Sequence, residues 1–375
     1  MKQLLDDEIR YDGSRSAALL EMLREFVRNS CAGRRCPSHW QLAGKYNVSR
    51  STVEKVYQQL AIEGLVEQRR GSGTFVAGRR VVHFLMPGAD LLTRQDSNGV
   101  TVRQRLEGCV TAARERGMSV ELMYLSPQDD ALNLDCRMLA NLNASAMVVL
   151  QDWFFTAFPV LAQRALRCAL ISSGNVPYGA AQHIRQWQQL LIDRGGGVQR
   201  ALELLYAAGC RRVAIAGHYI DYCRAWELTA YRKFVQEHNM PCLELVLKWE
   251  CSSYDGQWRQ AVRQLYMTGK FDGLLIFCRE YLAAQHSLHE FLGLPESVRL
   301  LAWNFYPELA PGVPPVGSFN PPNRQLGYDA VTRMLDDTRS CRKNIYKVQF
   351  ENLPPDLQEI CDKLSGTTDA QLPGD

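Results

Sequence analysis

The sequence predicts an α/β protein of two parts: a small N-terminal domain of helices and a hairpin, and a larger domain of two lobes with parallel sheets. Three observations support this. The chain has 375 residues, which suits two domains. Residues 37–76 contain two short amphipathic segments, a tight turn and a hairpin pattern. From about residue 81, short apolar runs alternate with helix-length segments, which is typical of parallel sheets flanked by helices.

A first helix is predicted from Ser14 to about Asn29, after an irregular acidic leader over residues 1–13. Its apolar residues recur at helical spacing, and they are Ala17, Leu20, Leu23, Phe26 and Val27. A second helix begins after Ser38, because Ser38 and Gln41 have the spacing of a capping box. Asn47 stands where the chain has to turn sharply, and asparagine tolerates the positive φ of such a turn.

A third helix follows this turn, with Ser49 or Ser51 available as its N-cap. Its apolar stripe consists of Val53, Val56, Tyr57 and Leu60. Two extended segments, Leu65–Arg69 and Thr74–Val76, flank a turn through residues 70–73, whose two glycines accept positive φ. This order of elements predicts a winged helix-turn-helix over residues 1–76.

The start of the third helix is chemically suited to DNA. A helix N-terminus binds phosphate through its free N–H groups, and Ser49, Ser51 and Thr52 add short hydroxyls. Arg50 has the donors that pair with guanine in the major groove. Between residues 28 and 80 the sequence has ten Lys and Arg against three Glu, whereas the whole chain carries a formal charge of +3. The basic charge is therefore concentrated near the N-terminus, although a small helical domain with a solvated basic face would show the same count.

The segment from about 14 to 78 resembles the GntR-type winged helix-turn-helix of bacterial transcription regulators. The matching residues are Pro37, Ser38, Leu42, Ala43, Val48, Ser49, Arg50, Thr52, Val53, Leu60, Glu63, Gly64, Leu65, Val66, Arg70, Gly71, Gly73, Thr74, Phe75 and Val76. The chain departs from the family at His39 and Gln41, where acids are usual, and at Trp40, where the family often has a DNA-contacting arginine. The resemblance implies a DNA-binding domain.

These arguments together predict a set of DNA-contacting residues at the helix starts and on the hairpin. The set is Ser38, Ser49, Arg50, Ser51, Thr52, Lys55, Arg69, Arg70, Gly71, Ser72, Gly73 and Thr74.

The larger domain is predicted over residues 82–353, after a linker at 77–81 and before a flexible tail at 354–375. Its first series has strands at Val81–Met86, Ser119–Leu125, Ala146–Leu150 and Cys168–Ser172, with helices near 101–116, 131–141 and from 156. Its second series has strands at Arg211–Ala216, Leu243–Leu247, Asp272–Phe277 and Val298–Trp303, with helices near 190–208, 224–238, 255–268 and 280–291. Two such series indicate two lobes with a cleft at the carboxyl ends of their strands.

Residues 81–350 resemble the effector domain of LacI-type repressors, which has a type 1 periplasmic-binding-protein fold. The resemblance is carried by residues 208–214 (AGCRRVA), 230–234 (AYRKF), 271–275 (FDGLL), 294–298 (LPESV), 315–319 (PVGSF) and 327–330 (GYDA), in the family's order. Regulators that join a GntR-type reader to this domain resemble the AraR group, which responds to sugars. The resemblance therefore implies a homodimer that binds double-stranded operator DNA and a small-molecule effector, with a sugar as the leading candidate.

The expected effector pocket differs from the family pattern. Where the family commonly has an arginine, this chain has Glu227, with Arg224 one turn earlier. An Asn-Asp pair of the family becomes Arg279-Glu280, and a strand-end aspartate becomes Asn304. Aromatic rings that could stack on a sugar are Trp153, Trp226 and Trp303. Each of these residues also has a structural interpretation, because such tryptophans are often core residues and such charges are often solvated. A constitutive DNA-binding regulator with a sensor that no longer binds ligand is therefore the alternative.

Other classes of function are not indicated. The chain lacks a P-loop, HExxH or GxSxG motif, and Gly195-Gly196-Gly197 is interpreted as a helix lead-in that does not follow a strand. Its twelve cysteines include no CxxC pair, so free thiols are expected and no metal or cofactor is predicted. With acidic residues near the N-terminus and no apolar run of about 18 residues, the chain is expected to be cytoplasmic, with no membrane partner.

Overall fold

The computed structural model describes residues 15–28, 30, 34–77, 81–125, 134–142, 146–164, 166–174, 176–219, 226–248, 257–277, 287–309, 316–336 and 343–368. The N-terminal domain consists of helices α1 (Arg15–Arg28), α2 (His39–Tyr46) and α3 (Arg50–Ile62), followed by the antiparallel hairpin β1 (Val66–Arg69) and β2 (Gly73–Val76). The predicted stripe of α3 is buried along its whole length. In α1, Leu23, Phe26 and Val27 are buried as expected. The predicted core residue Ala17 is exposed, and Leu19 is buried instead.

The first lobe begins with β3 (Val81–Met86), α4 (Ser97–Glu115), β4 (Ser119–Tyr124), α5 (Arg137–Ala140), β5 (Met147–Gln151), α6 (Phe158–Gln163), β6 (Arg167–Ser172) and β7 (Gln188–Asp193). The second lobe continues with α7 (Arg194–Ala207), β8 (Val213–Tyr219), α8 (Trp226–Glu237), β9 (Leu243–Lys248), α9 (Gln257–Gly269), β10 (Gly273–Phe277), α10 (Leu288–Leu292), β11 (Arg299–Trp303) and β12 (Gly317–Asn320). The chain ends with α11 (Asn323–Asp336), β13 (Lys343–Lys347), β14 (Gln349–Glu351) and α12 (Pro355–Thr368).

The two lobes each contain a six-stranded sheet. In the first lobe the order is β13-β7-β6-β5-β3-β4, and every pairing is parallel. In the second lobe the order is β14-β12-β11-β10-β8-β9, and only the edge strand β14 is antiparallel. The strand-helix alternation of the sequence therefore predicts the class of fold correctly.

The chain crosses between the lobes three times. It leaves the first sheet after Asp193, returns between Asn320 and Asn323, and crosses again at Val348 between β13 and β14. After the second crossing, α11 packs along α4 on the first lobe. Three crossings thus connect two separate sheets, in agreement with the predicted fold of two lobes.

Three expectations about the larger domain are wrong. The helix expected near 190–208 begins only at Arg194, because residues 188–193 form β7, an inner strand of the first sheet. Gly195-Gly196-Gly197 therefore does follow a strand; Asp193 caps α7 by accepting a hydrogen bond from Gly196 N at 2.8 Å, and Gly197 lies against Val348. The carboxylate occupies the position that a phosphate would take.

The third wrong expectation is the flexible tail from residue 354, since residues 355–368 form α12. The side chain of Leu357 is buried in the core of the domain, and Asp356 forms an ion pair with Arg299 at 2.9 Å. The segment rich in Pro and Asp thus begins a helix that packs against the rest of the domain. The helix expected near 131–141 is described only as the short α5, and most of the residues expected to form the helix near 280–291 lie outside the described residues.

The contact of α4 with α11 depends on two glycines. A Cβ atom at Gly327 would overlap the carbonyl oxygen of Arg105, and one at Gly108 would overlap that of Arg324. We expect Gly327→Ala to lower the free energy of unfolding of the two-lobed domain by about 1–3 kcal/mol, because backbone atoms of a packed helix cannot yield locally. Calorimetric unfolding measures this change. In the same lobe, a Cβ atom at the exposed Gly179 would have no neighbour within 4 Å. Equal melting of Gly327→Ala and Gly179→Ala would contradict the close helix contact.

Candidate nucleic-acid interface and interlobe cleft

The junction of α2 and α3 is defined by caps on both helices. Ser38 and Gln41 form the predicted capping box: Ser38 N donates to Gln41 Oε1 at 2.8 Å, and Gln41 N donates to Ser38 Oγ at 3.3 Å. Asn47 adopts the left-handed conformation, with φ 49° and ψ 51°. Ser49 then caps α3 by accepting a hydrogen bond from Thr52 N at 3.1 Å. The sequence leaves Ser49 and Ser51 open as the cap, and the structure selects Ser49.

The first turn of α3 presents hydroxyls and a cation. Ser49 Oγ lies 2.8 Å from both Ser51 Oγ and Thr52 Oγ1. The first turn contains no acidic residue, so the positive end of the helix is not neutralised there. Arg50 and Lys55 are exposed, and the guanidinium carbon of Arg50 lies over the Trp40 ring of α2. This surface has the donors that phosphates and base edges accept.

The hairpin presents a basic tip. Gly71 and Gly73 have φ values of 73° and 107°, so both use the conformation for which glycine is suited. Arg69 lies over the Phe75 ring and pairs with Glu67 at 3.4 Å, while Arg70 and Ser72 are exposed at the turn. This tip carries the predicted wing residues 69–73 on its surface.

Thr74 lies elsewhere than the rest of the predicted set. Its side chain is buried, with an exposed fraction of 6%, and its carbonyl oxygen accepts a hydrogen bond from Cys36 N at 2.8 Å. Thr74 therefore belongs to the framework of the wing rather than to its surface.

Arg35 is a basic residue that the sequence motifs do not identify. Its backbone pairs with Phe75 as an antiparallel bridge, so it lies beside the hairpin. A Cβ atom at Gly73 would lie 3.2 Å from Arg35 Nε. The guanidinium thus adds to the positive surface of the wing. The count of basic residues includes Arg35, but a local sequence pattern cannot predict that its backbone pairs with Phe75, forty residues later.

The cleft predicted from the sequence would lie at the carboxyl ends of the strands. Asp152 follows β5 and accepts hydrogen bonds from Ser172 Oγ at 3.1 Å and from Ser173 N at 2.8 Å. Trp153, beside it, has an exposed fraction of 40%. On the second lobe, Trp303 ends β11 and packs with Phe277 at 5.7 Å between ring centroids, and Asn304 follows with φ 53°. Of the predicted pocket residues, Arg224, Arg279 and Glu280 lie outside the described residues.

The remaining predicted pocket residues contact other parts of the protein. Glu227 forms an ion pair with Arg194, and the two side chains are only 14% and 18% exposed. The Arg194 guanidinium carbon lies 5.2 Å from the centroid of the Trp303 ring. Trp226 Nε1 donates to the carbonyl oxygen of Gly174 at 3.3 Å, which links the second lobe to the first. The cleft therefore contains an internal ion pair and a direct hydrogen bond between the lobes.

A buried arginine connects the lobes behind the cleft. Arg105 on α4 has an exposed fraction of 6%; it donates to Gln151 Oε1 and, through Nε, to Asn323 Oδ1 at 3.0 Å. Asn323 Nδ2 donates in turn to the Tyr306 hydroxyl of the second lobe at 2.9 Å. Burial lowers the pKa of Arg105 to about 10, against the opposing effect of the Asp152 carboxylate, so the guanidinium stays charged at neutral pH. The sequence gives one indication of this role, because Arg105 is a cation on the buried side of a predicted helix.

No group of three or more metal-ligating side chains occurs among the described residues. No helix in the described part of the chain combines the length and apolarity needed to cross a membrane.

Comparison with known proteins identifies the N-terminal domain. Residues 19–76 match the family described as bacterial regulatory proteins, gntR family. The N-terminal domain is a gntR-family winged helix-turn-helix. Two relatives share this part of the chain: the HTH-type transcriptional regulator YhcF of Bacillus subtilis, 34% identical over 92 residues, and a probable fructoselysine utilization operon transcriptional repressor of Shigella flexneri, 29% identical over 75 residues. These matches cover 24% and 20% of this chain, and 66% and 31% of the respective relatives.

Solved structures resemble the chain over most of its length. A complex of the transcriptional regulator CelR with cellobiose has a TM-score of 0.53 at 19% identity, covering 84% of this chain and 98% of CelR. The lac repressor dimer bound to operator and the anti-inducer ONPF has a TM-score of 0.52 at 15% identity, covering 79% and 96%. Similarity at this level of identity shows the fold, so the gntR-family domain is joined here to a two-lobed domain with the same fold as these regulators. Both predicted resemblances are confirmed.

The turn between α2 and α3 can be tested directly. Asn47 has positive φ, which alanine adopts at a cost of roughly 1 kcal/mol, whereas glycine adopts it freely. We expect Asn47→Ala to lower the melting temperature of the gntR-family domain and Asn47→Gly to melt above the alanine variant, as measured by calorimetry. Equal melting of the two variants would show that the left-handed turn is not a constraint on stability.

Proposed function

We propose that the chain is a transcriptional repressor that binds operator DNA as a homodimer and releases or tightens that binding in response to a small-molecule effector, a sugar or related metabolite. Two gntR-family domains on a symmetric dimer would read two half-sites about 10 base pairs apart in successive major grooves. We expect a protein with this function to be located in the cytoplasm, together with the DNA that it binds.

The observation that carries the DNA-binding part is the exposed first turn of α3. The Ser49 hydroxyl lies within hydrogen-bond distance of the Ser51 and Thr52 hydroxyls, at the uncompensated positive end of the helix. The cations Arg50 and Arg70 extend this surface from the helix to the wing. The start of α3 suits base edges and the basic hairpin suits the phosphate backbone, so together they form one surface for a DNA duplex.

The effector part is supported by the two-lobed fold and by the chemistry of the cleft. CelR, whose fold is similar, has been solved with cellobiose. The cleft here offers the Trp303 ring together with the Asn304 amide and the Asp152 carboxylate, the aromatic and polar groups that suit a polyhydroxylated ring. A ligand that contacts both lobes would change their relative position and so the operator affinity.

A constitutive regulator is the second candidate, and a specific observation favours it. The ion pair of Arg194 with Glu227 already joins a cation and a carboxylate within the second lobe, and the hydrogen bond from Trp226 to Gly174 ties the two lobes together. A protein that binds DNA without an effector would use this domain for dimerisation alone.

DNA binding predicts a specific effect at the wing. Operators are selected from random duplexes with the full-length chain, and affinities are measured by fluorescence anisotropy over a range of salt concentrations. We expect Arg70→Ala to weaken binding to the operator and to a scrambled duplex by the same factor. The slope of log affinity against log salt should fall by about 1, because one phosphate contact is lost.

Arg137→Ala is the matched control, because Arg137 is 85% exposed on the first lobe. It should leave affinity and salt slope unchanged. Selective binding that does not depend on salt, or an equal effect of the two substitutions, would contradict the proposed interface.

Effector binding predicts a thermal shift that depends on Asn304. Glycine adopts the φ of 53° at this position freely, so Asn304→Gly removes the amide with little backbone strain. In a panel of neutral and acidic sugars, we expect at least one to raise the melting temperature of the wild-type chain. The Asn304→Gly variant should need about 10-fold more of the same sugar, as for one lost hydrogen bond. The absence of any shift across the panel would favour the constitutive regulator.

A further inference from the structure

Trp40 is the most exposed aromatic side chain in the described part of the chain, with an exposed fraction of 69%. It is the second residue of α2, on the side where α2 meets the start of α3. An indole in water exposes a large apolar face, and such residues are enriched where proteins contact other molecules. The next most exposed tryptophans, Trp153 and Trp226, lie on the lobes and contact Phe154 and Gly174.

The first turn of α2 is held firmly against α3. His39, the neighbour of Trp40, places Nε2 3.1 Å from Glu54 Oε2 and sets its ring edge-on to Tyr57 at 5.1 Å between centroids. The Tyr57 hydroxyl donates to the carbonyl oxygen of Pro37 at 2.5 Å. These contacts hold the residues that precede Trp40, so the backbone that leads into Trp40 has a defined position relative to α3.

The indole of Trp40 in turn holds Arg50. The guanidinium carbon of Arg50 lies over the ring, and no ion pair of Arg50 with a carboxylate occurs in the described part of the chain. Stacking uses the flat face of the guanidinium and leaves its N–H donors free at the edge. A long arginine side chain otherwise samples many rotamers, so the contact selects one of them before DNA arrives.

We propose that Trp40 is a specificity-determining residue that positions Arg50 as a preformed planar fork for a base edge in the major groove. This inference rests on the proposed DNA-binding function. Its chemical basis is that bidentate pairing with guanine requires both the plane and the direction of the guanidinium to match the base. Trp40 acts through orientation and carries no charge, so it contributes to the choice of sequence and not to the attraction of phosphates.

The test uses the full-length chain and the operator selected with it. Anisotropy gives the affinity for the operator and for a scrambled duplex at several salt concentrations, for the wild type, Trp40→Ala, Trp40→Phe, Arg50→Ala and the double variant Trp40→Ala/Arg50→Ala. We expect Trp40→Ala to reduce the ratio of operator affinity to scrambled affinity about 10-fold, comparable with the loss of one good base contact. The salt slope should not change, because no phosphate contact is lost.

Two comparisons separate positioning from other roles. In the double variant, discrimination should equal that of Arg50→Ala alone, because Trp40 acts through Arg50. Trp40→Phe keeps an aromatic face for the guanidinium and should retain most of the discrimination. Since Trp40 is largely exposed, the melting temperature of the domain should be unchanged in both single variants, and this separates the effect from loss of folding.

Two outcomes would overturn this inference while leaving the proposed function intact. One is an equal loss of affinity for both duplexes in Trp40→Ala. The other is a loss of discrimination in the double variant that equals the product of the two single losses. Absence of sequence-selective binding by the wild type would overturn the proposed function as well.

Discussion

The surface proposed to face DNA depends on the backbone conformation of Asn47. With φ at 49° and ψ at 51°, this residue turns the chain so that α3 starts beside α2 instead of continuing it. The direction of α3 decides where its first turn points and which stripe faces α1 and α2, so Tyr57 enters the core and reaches the carbonyl oxygen of Pro37. The hairpin then packs on the same small core. One left-handed residue and two serine caps therefore place the polar groups that the helix starts contribute to the proposed interface.

The larger domain has a comparable constraint where the chain crosses between its sheets. The glycine contacts of α4 with α11 bring backbone against backbone, and they carry Arg105 into the space between the second crossing and β5. A buried guanidinium is costly unless its donors are satisfied, and here neutral oxygens of Gln151 and Asn323 accept them. Tyr306 of the second lobe joins through Asn323. Relative movement of the lobes therefore has to accommodate this polar network at its base.

The sequence predicts the local elements better than the long-range contacts. The caps at Ser38 and Ser49 and the stripe on α3 follow from residues a few positions apart, and all of them form as the local pattern indicates. The strand before Arg194 and the helix α12 are set by distant partners, such as the first sheet for residues 188–193 and Arg299 for Asp356. The same limit applies to the pocket, where the role of Glu227 depends on Arg194, more than thirty residues away.

The ion pair at the cleft also limits what the fold implies about the effector. A site that offers a lone arginine gives a ligand a free set of donors, whereas Arg194 here already has the Glu227 carboxylate and the Trp303 ring as neighbours. A ligand that enters between these groups has to replace interactions that a partly buried pair makes in a low-dielectric setting. Similar folds bind different molecules through such local differences. The proposed effector site therefore takes its chemistry from the Arg194–Glu227 pair and its surroundings, whereas the two-lobed fold sets only its location.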